Sequence, residues 1–336
     1  MAVLEAALVR ERGGLRSWRR RRATAMAHPG CRARPRPPPG CRAVSAVAQS
    51  GRTGRDACCA LAARHPSSPP PPWVRRDMRL LLINPNTTDT ITGLVAERAR
   101  AVAGAGVEIR AVTGRFGPRY VASRAAAVVA GHAALDLLAE HVEGCDAVLL
   151  ACFGDPGLLA LKELSPVPVI GMAEASCHLA CLLGQRFSIV TGGERWGPML
   201  REFVGGLGLE RRLASVRTVA PTGADIARDP EGSLALLAAS CAGCAEADGA
   251  EVVVLGGAGL AGLARRVAPE VPVPVICSLE AAVLAALAAG RLASRRALAG
   301  SLAPRPPVAT VGLPPALSHR LDPDPVKRPD GHHESR

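Results

Sequence analysis

The chain has 336 residues, 48% of them hydrophobic and 21% charged, which is enough apolar mass for a sizeable core in one large or two medium domains. Its net charge of +12 would point to nucleic acid or a membrane surface, but residues 1–77 hold 16 Arg and four acidic residues and so carry all of it. The neutral remainder excludes a basic-surfaced nucleic-acid-binding domain, and no run of eighteen or more uncharged apolar residues offers a membrane span.

Residues 1–77 alternate Arg clusters (Arg19 to Arg22) with Pro runs (Pro37 to Pro39, Pro69 to Pro72) and lack any periodicity that would bury a face. They are expected to be disordered, with Met78 as the natural start. Glu5, Glu11 and the Pro tract fit an organelle presequence poorly. Four of the eleven cysteines fall in this extension and the other seven are scattered without a paired framework, so free thiols in a reducing cytoplasm are expected. Residues 301–336 read as a second disordered, Pro-rich tail. His332 and His333 there have no further residues at ligand spacing, and no metal site is expected.

From 78 to about 300, strand-like and helix-like runs alternate in the α/β pattern. Met78 to Ile83 predicts a strand, followed by the loop Asn84-Pro85-Asn86-Thr87-Thr88 and a helix to about Val102. Val107 to Val112 is a second strand. A polar loop from Gly114 to Tyr120 leads into a long Ala-rich helix ending near Val142. After Asp146, the unbroken apolar run from Ala147 predicts a strand that delivers Cys152 to a Gly/Pro/Asp loop. A helix from Gly157, a short strand over Val167 to Gly171 and a helix over Glu174 to Leu183 follow.

The same pattern then recurs at a constant offset of 105 or 106 residues. Arg186 to Gly193 restates the first strand and its loop, Leu213 to Val219 the second strand, and Glu251 to Leu260 the cysteine strand. Pro272-Val273-Pro274-Val275-Ile276 is identical to Pro166-Val167-Pro168-Val169-Ile170. The prediction is an α/β fold of two duplicated lobes with parallel sheets, 78–185 and 186–300, related by a pseudo-twofold with an active-site cleft between them. Equivalent strand ends then face one another, so the loops at Cys152 and Gly257 lie across one cleft.

Such a cleft suits removal of a proton from one face of a carbon acid and its return on the other. A thiol does this work if helix N-termini or loop amides lower its pKa, and both strand ends feed helix starts. The small polar loop residues Asn84, Asn86, Thr87, Thr191 and Gly192, with Phe153, Gly257 and Ala258 of the two facing loops, are the expected binding groups for a carboxylate or carbonyl.

Four segments carry a resemblance. Ile83-Asn84-Pro85-Asn86-Thr87, Ala151-Cys152-Phe153-Gly154-Asp155-Pro156-Gly157-Leu158, Pro168 to Ala175, and Leu255-Gly256-Gly257-Ala258-Gly259 are similar to the aspartate/glutamate/hydantoin racemase superfamily, in particular its hydantoin racemase branch, over residues 78–290. The resemblance implies two-cysteine proton transfer at the α-carbon of an amino acid or 5-substituted hydantoin, with no cofactor and no metal. It also marks Cys152 as catalytic. The implied partners are a small-molecule substrate and further copies of the chain, with no nucleic acid and no membrane. Where the family's second cysteine lies in a Gly-Cys-Ala-Gly loop, this chain has Gly256-Gly257-Ala258-Gly259. A one-thiol lyase resembling arylmalonate decarboxylases, or a binding protein without turnover, therefore stands beside the racemase.

Other residues have competing readings. Cys152 itself competes with a buried structural cysteine. Cys277 ends the repeated strand and is either a replacement thiol or core packing. Cys241 and Cys244, and Cys177, His178 and Cys181, read as helix packing. Gly257-x-Gly259-x-x-Gly262 matches a dinucleotide fingerprint, but the repeat already accounts for it and no acidic residue ends the next strand. Arg119 and Tyr120 form a lid or carboxylate clamp, or else a solvated loop. Asp155 and Glu174 read as helix N-terminal residues.

Overall fold

The computed structural model describes residues 77–292 and 297–323. The expected disorder of the extension and the pair His332–His333 lie outside the described residues. Two four-stranded parallel sheets form the frame, in the orders β2-β1-β3-β4 and β6-β5-β7-β8. The first comprises β1 (Met78–Asn84), β2 (Val107–Thr113), β3 (Ala147–Leu150) and β4 (Val169–Gly171). The second comprises β5 (Phe187–Gly192), β6 (Leu213–Val219), β7 (Val252–Leu255) and β8 (Val275–Cys277). The central strands carry almost unbroken apolar runs, Leu80 to Ile83, Ala147 to Leu150 and Val252 to Leu255, because helices cover both of their faces.

The hydrogen-bond register relates the two sheets. Ala151 N–H donates to Ile83 O at 2.8 Å, and Gly256 N–H donates to Val190 O at 2.9 Å. Each bond is the last before the chain leaves the third strand of its lobe. One residue further on stand Cys152 and Gly257, which are therefore positional twins.

The helices of the first lobe are α1 (Asp89–Ala103), α2 (Arg124–His141), α3 (Leu158–Leu164) and α4 (Met172–Leu183). In the second they are α5 (Trp196–Gly206), α6 (Gly223–Arg228), α7 (Pro230–Glu246), α8 (Ala264–Val267) and α9 (Ser278–Leu292). α8 lasts one turn because Pro269 follows, which is unlike the long helix a dinucleotide loop opens. Ser123 caps α2, accepting from Ala126 N–H at 3.1 Å, and Thr222 with Asp225 forms a capping box on α6.

The lobes do not keep their helices to themselves. α9 follows β8 yet packs against β1, β3 and β4 of the first sheet, while α4 packs against β7 of the second. At their crossing, Ser176 Oγ donates to Met172 O at 2.5 Å and lies 3.3 Å from Ser278 O. One core consequently runs through both lobes, from Leu80, Leu82 and Leu149 to Val252, Val254 and Val283.

The opposite face of the first sheet is closed by α2, α3 and α10 (Pro315–Leu321). That last helix corrects the expectation of a disordered tail over 301–336 for its described part, residues 301–323. Leu317, 2% exposed, enters the cluster formed by Leu81, Leu138 and Leu150. Arg320 donates to Ala139 O at 3.0 Å and pairs with Glu143 at 2.5 Å. A short apolar repeat bracketed by prolines is too brief to declare itself in sequence, and it is helical because the sheet-covering helices offer it a surface.

Among the described residues no helix is long and apolar enough to cross a membrane.

Candidate active site

Cys152 is positioned by the end of β3 and by a loop whose shape is set by one carboxylate. Asp155 is buried, donates its N–H to Cys152 O at 3.0 Å, and accepts from Ala173 N–H at 2.9 Å and Glu174 N–H at 2.7 Å, so it caps α4 from the thiol loop. It holds φ +47°, the one positive value for a non-glycine residue among those described. Glu174 is itself engaged by Lys162 at 2.5 and 2.7 Å. Both residues have the helix N-terminal placement their sequence position suggests.

Two aromatic side chains cross between the lobes here. A Cβ on Gly154, at φ +102°, would lie 2.5 Å from the Trp196 ring, and a Cβ on Gly256 would lie 2.4 Å from the Phe153 ring. Phe153 thus rests on the second lobe's loop and Trp196 on the first lobe's, a reciprocal clasp that needs glycine at both positions.

Between the loops lies a cleft of about 580 Å³, part of it open to solvent. Cys152, Phe153, Asn86, Thr191, Gly192, Gly257 and Ala258 line it, so the structure brings seven of the nine sequence-chosen residues together. Asn84 and Thr87 do not line it. Asn84 is fully buried and donates its amide to Asn86 Oδ1 at 3.1 Å and Thr92 Oγ1 at 2.9 Å, which shapes the loop from behind. Cys277 also lies elsewhere, its sulfur accepting from Gly262 N–H at 3.5 Å, and Cys177, Cys241 and Cys244 are fully buried.

The lining that sequence reasoning left open or missed is largely apolar: Ile91, Val121, Trp196 and Leu260, with Arg119 and Tyr120 at one side. Arg119 and Tyr120 were legible as a loop near the cleft; Trp196 and Leu260 carried no signal, because a large apolar residue after a strand reads as core. Thr191 Oγ1, the Asn86 amide nitrogen and the Arg119 guanidinium have no protein hydrogen-bond partner among the described residues. They are the polar groups free to meet a ligand.

The second wall has no thiol. Gly257 donates its N–H to Ser278 Oγ at 3.1 Å and sits at φ +141°, a conformation that L side chains rarely adopt. A Cβ there would lie 3.0 Å from Leu260 Cδ1.

Burial pushes the Cys152 thiol up to about 12, and the nearby Asp155 carboxylate adds to the rise. The sequence expectation of a lowered thiol pKa is thereby corrected: the sulfur is buried, and the N–H groups of Ala173 and Glu174 at the start of α4 are taken by Asp155. With its pKa raised in this way, Cys152 is a neutral thiol near pH 7.

Residues 80–286 match the family model for Asp/Glu/hydantoin racemase. The chain belongs to that family. Among curated members, the hydantoin racemase of Pseudomonas sp. (strain NS671) is 36% identical over 207 residues, 61% of this chain and 83% of that protein. The hydantoin racemase of Paenarthrobacter aurescens is 37% identical over 207 residues, 61% of this chain and 88% of its own. The crystal structure of allantoin racemase from Pseudomonas fluorescens superposes with a TM-score of 0.67 at 34% identity, covering 70% of this chain and all of that one. This racemase-family chain thus keeps the thiol of the first lobe at the cleft and carries glycine at its twin position.

Proposed function

We propose that the chain is a cofactor-independent racemase or epimerase acting at the α-carbon of an amino-acid-like or 5-substituted hydantoin-like carbon acid, with Cys152 as a proton-transfer group. The observation that carries this reading is the placement of Cys152 in a largely apolar interlobe cleft that Thr191 and Asn86 also line. Proton loss beside a carbonyl moves charge onto the carbonyl oxygen, and the Thr191 hydroxyl and Asn86 amide are small, fixed donors suited to that oxygen. Ile91, Val121, Trp196 and Leu260 favour an apolar substituent on the same carbon. The neutral resting thiol is a competent acid, and it acts as a base only after giving up its proton, which burial makes costly.

One feature favours a second reading. With glycine at 257 the second face lacks the thiol of a two-cysteine mechanism, and a neutral Cys152 alone suffices to protonate the enediolate left when an α-substituted malonate loses carbon dioxide.

The test is to incubate the full chain with each enantiomer of 5-benzylhydantoin in deuterated water. Racemisation is expected to show as loss of optical rotation with deuterium uptake above the buffer rate. Cys152→Ala is expected to lower it by roughly 10²–10⁴-fold, and a variant with full activity would overturn the assignment. Carbon dioxide release from an α-arylmalonate, without racemisation, would favour the second reading.

A further inference from the structure

Although Gly257 leaves the second wall without a thiol, that wall has a hydroxyl. Tyr120 belongs to the first-lobe loop before α2, but its side chain crosses the cleft to second-lobe backbone. Its hydroxyl donates to Gly192 O at 3.4 Å and accepts from Gly223 N–H at 3.4 Å. Both contacts are long, so they orient the group while leaving its proton free to be drawn elsewhere. Glycine makes room for it: a Cβ on Gly193 would lie 3.2 Å from the Tyr120 oxygen, and one on Gly223 would lie 3.9 Å from it. Leu260 Cδ1 lies 3.8 Å from that Gly223 position and 3.0 Å from the Cβ position of Gly257, so Tyr120 and Gly257 flank the same leucine on one wall.

The residues that line the cleft include three titratable side chains: Cys152, Tyr120 and Arg119. Arginine does not give up its proton in proteins. Two groups remain, one from the thiol loop and one resting on the opposite lobe.

Resting on the reading of Cys152 above, we propose that Tyr120 takes the place of the missing second thiol and exchanges a proton with the face of the substrate carbon turned away from Cys152. In one direction Cys152 first gives its thiol proton to water; the thiolate then takes the substrate proton, the C–H pair passes into the enolate, and the Tyr120 O–H bond breaks as its proton joins the opposite face of that carbon, which the enolate pair now binds. The enzyme is left with a thiol and a phenolate. This form runs the reverse reaction on the other enantiomer, or recovers by proton exchange with water, and nothing is oxidised or reduced. Burial raises the Tyr120 pKa more than its hydrogen bonds to Gly223 and Trp196 lower it, and negative charge on Cys152 adds to the rise.

Tyr120→Phe keeps the ring and removes the hydroxyl, and each enantiomer of 5-benzylhydantoin in deuterated water reads the two faces separately. The variant is expected to keep deuterium uptake with retention from the enantiomer that Cys152 deprotonates, while inversion falls by roughly 100-fold or more. Cys152→Ala is expected to lose that uptake. Because Tyr120 is the sole tyrosine of the chain, its phenolate absorbance titrates it directly, and the midpoint is expected above the free value of about 10. Inversion at the wild-type rate in Tyr120→Phe would overturn the proposal, as would equal loss of uptake and inversion, or an unperturbed phenolate titration. Wild-type protein that exchanges without inverting removes the role of Tyr120 and leaves that of Cys152. Wild-type protein that does neither removes both.

Discussion

At the scale of single residues, Asp155 is the hinge between the thiol and the fold. Its carboxylate is taken from water to hold two N–H groups at the start of α4, and burial outweighs those bonds, pushing its pKa up to about 7. A folded-state value above the ordinary carboxylate value of 3.8 means that the native protein holds this proton more tightly than the unfolded chain does. The stabilisation is therefore present below the unfolded value and is lost as pH rises through about 7. Asp155→Asn does not titrate. On going from about pH 8 to about pH 5, wild type is expected to gain roughly 2 kcal/mol relative to Asp155→Asn, measured from urea midpoints at each pH. A difference independent of pH would show that the carboxylate stays ionised throughout.

At the scale of elements, the outcome turns on what each segment finds to cover it. α10 has seven residues, too few to be stable alone, and it persists because it packs on α2 and Leu317 is buried in the apolar cluster that α2 shares with the first sheet. Leu317→Ala is expected to cost about 2 kcal/mol, the low end for a buried leucine, since a terminal helix is able to settle into part of the space. The check is a denaturant melt, and an unchanged midpoint would mean that the helix does not contribute to the cooperative unit. The loops after β3 and β7 show the converse case. Their partner is each other, through Phe153 on Gly256 and Trp196 on Gly154, so their conformations are set across the cleft and not by local propensity.

At the scale of the whole molecule, the lobes share helices. α9, encoded after the last strand of the second sheet, covers Leu80, Leu82 and Leu149 of the first. A fragment of residues 78–185 contains every strand of the first sheet but leaves that face to water. It is expected to lack cooperative unfolding and to bind a hydrophobic dye, whereas the chain through residue 323 melts as one unit. A fragment that folds cooperatively by itself would show that α9 is dispensable to the first sheet.

Much of this was legible in the chain alone. The alternation of buried strands with helices, the offset of 105 or 106 residues, the identical Pro-Val-Pro-Val-Ile strands and the family motifs around Cys152 are local patterns, and local patterns survive in one dimension. They determined the two parallel sheets, the twinning of Cys152 with Gly257 and the family. Tertiary structure alone decided the rest. Asn84 and Asn86 are two residues apart in one loop, yet one turns inward to brace the loop and the other faces the cleft. The thiol pKa depends on how completely packing excludes water, and Tyr120 reaches the far wall through contacts with residues 72 and 103 positions away. Burial and cross-lobe distance arise from elements far apart in the chain, so no window of sequence contains them.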